Sequence, residues 1–289
     1  MLYLRLRSGA ITSGFCVRLL KRLKFGFEIL DHAAVRQLKI LALDTSTELC
    51  SAALWLDGEL DAREIVAGQR HSELLLPMID ALLLTHRLKV ADLDGVAFGA
   101  GPGSFTGLRI ACGVAQGIAF GAGVPVVGIG TLLALAELSH APRAVCCLDA
   151  RMGEIYHAAY EYRDGWHAVH APSLCMPGAA PELPQGSWTG CGNGFAVYRE
   201  ALERRYAGRL AGVRDDLAPH AREVAVLAAI EFQSGNSIAA EHAAPLYVRN
   251  KIALRVDERG KTMPRVDERD KTMPRADERG KSTPRVGKR

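Results

Sequence analysis

The stretch GAGPGSFTGLRIACGVAQGIAFGAG, residues 99–123, decides how the rest of the chain is read. It is the densest run of glycine in the sequence, and it stands where an apolar strand hands over to a helix. A glycine-rich turn in that position often cradles phosphate. The phosphate loop of nucleotide hydrolases needs GxxxxGK[ST], and here the sixth position from Gly101 is Thr106 and from Gly103 is Leu108, with no lysine following. The dinucleotide pattern GxGxxG also fails, because Thr106 stands where the third glycine should be. A second explanation lies in the helix itself. Gly107, Ala111, Ala115 and Ala119 recur every four residues, with Gly113, Gly117 and Gly121 in a row beside them. Each interior glycine costs about 1 kcal/mol relative to alanine, so several together need compensation by close packing. The packing partner is either the protein's own sheet or a second protein. Ser104 or Thr106 is placed to cap the helix.

Working outward, KILALD (39–44) is a short apolar run ending in an acid and reads as a buried strand. Residues 51–56 and 60–67 read as two further strands turned by Asp57-Gly58. A leucine-rich helix is predicted over 71–86, kinked or delayed by Pro77. Strand 95–99, helix 106–121, strand 124–129, helix 131–139 and strand 144–148 follow. The order β-β-β-α-β-α-β-α gives a mixed sheet flanked by helices. Beyond Asp149 we expect a strand at 154–160, a turn at Asp164-Gly165 and loops over the Pro-, Gly- and Ala-rich 172–190. Helices are expected near 196–204 and 220–231.

The two ends differ from this body. Residues 1–37 carry seven Lys/Arg against two Asp/Glu, and residues 255–289 carry twelve against seven. The middle is therefore acidic, with 17 basic and 23 acidic residues, which argues against a basic nucleic-acid-binding body. Residues 1–37 lack an uninterrupted apolar core of a secretory signal and read as a basic, disordered extension. Residues 255–284 repeat a decapeptide (RVDERGKTMP, RVDERDKTMP, RADERGKSTP) whose regular proline stops helix propagation, so a disordered tail is expected. Apolar runs are broken well before the length of a membrane span. Seven cysteines, with no CxxC pair, read as the reduced, core-filling cysteine of a cytoplasmic protein.

The segments ILALDTST (40–47), HSELLLPMI (71–79), GPGSFTGLR (101–109), DARMGEIY (149–156) and PLYVR (245–249) together resemble the TsaB family, also called YeaZ. The resemblance implies an actin/Hsp70/sugar-kinase-like α/β fold of two lobes with mixed sheets. It places a first lobe at 38–149 and a second at 150–254. It also implies a non-catalytic subunit in tRNA threonylcarbamoyladenosine synthesis. Such a subunit pairs with a TsaD-type catalytic relative, is joined by a TsaE-type ATPase, and meets tRNA only through the complex. A homodimer is an alternative pairing. ATP and a metal would then belong to the partner subunits, with no cofactor of the chain's own.

The residues can be asked the same question directly. The catalytic relative holds a metal with two histidines at i and i+4 on one helix. Here His71 occupies the first position and Leu75 the second, and leucine cannot ligate. His167 and His170 read as surface residues. Asp44, Thr45 and Ser46 follow the first strand, where ATP-using members of this fold approach phosphate, but Ser46 stands where glycine is usual. With Gly101, Gly103 and Ser104 they form a weak phosphate-facing set. Asp149 is followed by Arg151-Met152-Gly153, without paired glycines. GxSxG is absent, so no serine-hydrolase elbow is present. The expected partner surface combines Leu74, Leu75, Met78, Ile79 and Leu82 of the first helix with Gly107, Ala111, Ala115 and Ala119 of the second. The rival reading is a stand-alone ATPase or small-molecule kinase of the same fold, using Asp44 and Asp149.

Overall fold

The computed structural model describes residues 38–248; the expectations for both chain ends lie outside the described residues. Two five-stranded mixed sheets form the frame. The first has the order β3-β2-β1-β4-β5, from β1 (Lys39–Asp44), β2 (Leu49–Leu56), β3 (Glu59–Val66), β4 (Gly95–Gly101) and β5 (Val126–Gly130). The second has the order β10-β9-β6-β7-β8, from β6 (Arg143–Arg151), β7 (Glu154–Tyr162), β8 (Trp166–Cys175), β9 (Trp188–Cys191) and β10 (Leu210–Arg214). Both sheets follow one plan. A central strand, β1 or β6, pairs antiparallel with the next strand in sequence and parallel with a later one. This duplicated plan is the two-lobe, actin-like architecture.

Helices α1 (His71–Thr85) and α2 (Phe105–Ala122) cover the outer face of the first sheet. Short helices α4 (Gly194–Val197) and α5 (Arg199–Arg205) cover the outer face of the second. Helices α3 (Thr131–Ser139) and α6 (Ala221–Gln233) touch each other and fill the space between the sheets. Alternation along β1 assigns each face: Leu41 and Leu43 join the outer core with Leu75 and Ala115, while Ile40 and Ala42 pack beneath α6 on Val224 and Ala228. Because β1 is covered on both faces, it reads as a continuous apolar run.

Three expectations are corrected here. The 38–149 and 150–254 lobes exchange helices. Helix α3 follows the last strand of the first sheet but packs on β6 of the second. Helix α6 follows β10 yet returns to β1, β2 and β4 of the first. The 172–190 segment is not all loop, since β8 runs to Cys175 and β9 begins at Trp188. Pro172 is tolerated because β8 is an edge strand and the proline falls at a register shift, between the Ser173–His157 and His170–Ala159 pairings. Helix α1 is continuous from His71 through Pro77, which lies on its exposed side.

Candidate functional site

The glycine-rich turn meets the end of β1. Asp44 is fully buried, and its Oδ1 accepts from the Ser46 N–H at 2.9 Å and the Ser46 hydroxyl at 2.8 Å. Its Oδ2 has no hydrogen-bond partner and presses toward Gly99, where a Cβ would stand 1.9 Å away. Burial drives its carboxyl up to about 6, against the two opposing bonds from Ser46. The Thr45 hydroxyl donates to the Gly107 carbonyl at 2.7 Å, and the Ser104 N–H donates to the Ser46 carbonyl at 2.8 Å. A Cβ on Gly103 would lie 2.5 Å from the Ser46 oxygen, and one on Gly107 1.9 Å from the Thr45 oxygen. Gly103 and Gly107 therefore admit the chain's own 45–46 backbone, and Gly99 admits the Asp44 carboxylate.

Ser104 caps α2 by accepting the Gly107 N–H at 3.3 Å, as its sequence position predicts. On the other side, the Leu246 N–H donates to the Ala100 carbonyl at 2.7 Å, and the Leu246 oxygen closes over Gly101. Tyr247 accepts from Arg109 Nε at 3.0 Å and packs on Phe105. The phosphate-facing reading is thus corrected. Asp44, Thr45, Ser46 and Gly101 are buried and Gly103 half-buried, leaving only Ser104 exposed. The turn is filled by protein backbone on both sides.

The helix faces are also redistributed. Leu75, Ile79 and Leu82 of α1, with Gly107, Ala111, Ala115 and Ala119 of α2, are buried in the outer core of their own lobe. Their burial corrects the expectation that they form an outward surface, and the accessible residues of these helices lie in the adjacent rows. Leu74 and Met78 stay half-buried, and Leu76 and Leu84 are 50% and 79% exposed. On α2 the exposed row is Gly113, Gly117 and Gly121, where a Cβ would meet nothing within 4 Å. Half-buried Ile110, Val114 and Ile118 and the 73%-exposed Phe120 complete that surface. Helix α2 is apolar and long enough to cross a membrane by composition alone, but its inward row is the core of a lobe.

Comparison with known proteins bears on this arrangement. The family described as TsaD: tRNA N6-adenosine threonylcarbamoyltransferase matches residues 65–255. A relative named tRNA threonylcarbamoyladenosine biosynthesis protein TsaB, from Escherichia coli K12, is 36% identical over 75% of this chain and 96% of its own length. The protein of the same name from Haemophilus influenzae is also 36% identical, with the same coverage. The solved structure of YeaZ from Pseudomonas aeruginosa superposes with a TM-score of 0.68 at 34% identity, covering 73% of this chain and 99% of that one. This chain belongs to the TsaB family.

Within this TsaB-family chain, the positions of a helix-borne metal pair are His71, whose buried Nε2 has no partner, and Leu75, which is wholly in the core. Among the described residues no three His, Cys, Asp or Glu side chains are grouped to hold an ion. His167 pairs with Asp164 and His170 with the Glu182 carbonyl, each a separate surface contact. Asp149 is occupied by its neighbours: the Tyr198 hydroxyl at 3.1 Å, the Arg151 N–H at 2.9 Å and the Arg151 guanidinium at 3.3 Å.

One concavity escaped the sequence reading. A cleft of about 500 Å³ opens between the β1–β2 turn, β3, the 215–218 segment and the start of α6. His220 caps α6, taking the Arg222 N–H on Nδ1 at 2.9 Å and bonding Glu64 through Nε2. Glu223 follows in the first turn. The lining residues, from Thr47 to Glu223, lie up to 176 positions apart in the chain, and no local motif links them.

Proposed function

We propose that this chain is a non-catalytic subunit in the formation of N6-threonylcarbamoyladenosine in tRNA, pairing with a TsaD-type catalytic relative. The observation that carries the pairing is the outward row Gly113, Gly117 and Gly121 of α2, with half-buried Ile110, Val114 and Ile118 on the same helix. Small residues let a partner helix come close, and the half-buried aliphatic side chains supply area to bury. The names of the relatives support the pathway. The filled phosphate turn and the leucine at the second metal position support a subunit that leaves ATP, metal and tRNA to the assembled complex. In this reading a TsaE-type ATPase joins the complex in the cytoplasm.

The test replaces the outward glycines, Gly113→Leu with Gly117→Trp, and measures co-purification with the catalytic relative and the threonylcarbamoyl content of tRNA. Pairing should fall at least tenfold while the melting temperature of the isolated chain is kept. Unchanged co-purification would refute this surface. ATP turnover by the purified chain alone, lost in Asp44→Asn, would instead favour a stand-alone enzyme.

A further inference from the structure

The outer core of the second lobe holds a polar cluster that the pairing surface does not use. His157 of β7 stands in register with Cys147 of β6 on one side and Ser173 of β8 on the other. Side chains at paired positions share a face, so the three form a row across the sheet. Tyr206, just after α5, stacks on the His157 ring at 6.4 Å, and the His170 ring of β8 stands 6.0 Å away. His157 is fully buried, and neither of its ring nitrogens has a hydrogen-bond partner. The hydroxyls of Ser173 and Tyr206 have none either. Four of the seven such atoms among the described residues therefore lie in this one cluster. Buried polar groups are normally satisfied, so their concentration here marks a weak place in an otherwise apolar layer.

The titratable groups around the ring come from three elements. Strand β6 supplies the Cys147 thiol, and β8 supplies His170 and Cys175. The end of α5 supplies Arg205, which is turned to the Ala180 carbonyl and Glu182. His170 is held at the Glu182 carbonyl at 2.7 Å, and its charge opposes a charge on His157. No carboxylate is among these groups, so a protonated His157 would be a buried cation without a counter-ion. Burial is the larger influence and, with His170, holds the imidazole down at about 4. The strand beside it, β8, is an edge strand whose ladder to β7 shifts register between His157 and Tyr160. We propose that the outer layer of the second lobe is an acid-opened latch. Protonation of His157 releases β8 and α5 from β7 and uncovers the Cys147 thiol. The latch lies apart from the outer helices of the first lobe and does not rest on the pairing function.

Labelling of the full chain with a pyridyl disulfide, from about pH 7.5 to about pH 4.5 and located by peptide mass, tests this. The closed-state value of His157 lies below the 6.5 of a free imidazole. Its contribution to the closed layer is therefore present above 6.5 and lost as pH falls through about 4. Labelling of Cys147, taken relative to the unfolded chain, should rise about tenfold for each pH unit between those values. Cys50, fully buried in the first lobe, should stay protected over the same range. His157→Phe keeps a ring against Tyr206 and takes no proton, so its Cys147 should lose the rise. Equal labelling of Cys50 and Cys147 would overturn the proposal, because it reports unfolding of the whole chain. So would an unchanged rise in His157→Phe. A readout without any variant is the ring resonances of His157. They should keep their neutral shifts well below pH 6.5, and a midpoint near 6.5 in the closed lobe would overturn the latch.

Discussion

Asp44 shows how one side chain can suggest a ligand and then be claimed by the fold. Its position after the first strand is legible in the sequence; its burial is not. Once covered, it holds Ser46 through Oδ1 and leaves Oδ2 unanswered. Its carboxyl sits at about 6 in the folded chain against 3.8 in the unfolded one. A folded value above the unfolded one stabilises the fold fully below pH 3.8, and that contribution is lost as pH rises through 6. Asp44→Asn keeps an acceptor for Ser46 and removes the buried charge. Urea titrations at neutral pH should show a gain on the order of 1–3 kcal/mol. The variant should also lose the part of the stability change between pH 4 and 6 that Asp44 causes, roughly the interval separating its two values. An unchanged pH profile would remove Asp44 as its source.

Helix α2 shows how two rows of small residues on one element serve different ends. Their spacing predicts two flat faces, and composition does not say which one turns inward. Gly107 belongs to the row packed on the Thr45 carbonyl, whereas Gly113 meets open space. Gly107→Ala should therefore destabilise by about 2 kcal/mol or more, since the obstructing atom is backbone and cannot swing aside. Gly113→Ala should stabilise the isolated chain by up to about 1 kcal/mol through helix propensity. Thermal melts of the two variants would check this, and equal effects would refute the assignment of faces. The pairing test with Gly113→Leu and Gly117→Trp acts on the same outer row. Substitution at Ala111 or Ala115 would damage the lobe itself, because both are fully buried.

At the scale of the whole molecule, the exchanged helices make the two sheets interdependent. Ala221, Val224, Ala225 and Ala228 of α6 are fully buried beneath the first sheet, and Ile238 bridges to Val126 of β5. A fragment ending near residue 150 would therefore expose the inner face of its sheet. It should fail to give a cooperative melt or dispersed amide resonances, while a chain of 38–248 should give both. A folded 38–150 fragment would show that the first sheet does not need α6. Helix α3 poses the same constraint from the other side, since Leu132, Leu135 and Ala136 are buried with β6 residues.

Much of this protein was decided by local pattern. The buried run of β1, the Asp57-Gly58 hairpin, the cap at Ser104 and the succession of strands and helices in the first half follow from periodicity and turn chemistry within a few residues. Family membership was legible for the same reason, because its motifs are contiguous. The second half was less legible. WTGC and LAGVR are too short to show alternation, and β8 hides a proline at a sheet edge. Tertiary structure alone decided which glycines serve the chain's own backbone, which helix closes which sheet, and where His157 meets His170 and Tyr206. Each of those outcomes depends on contacts between residues distant in sequence, where burial and close approach are set by the opposing element.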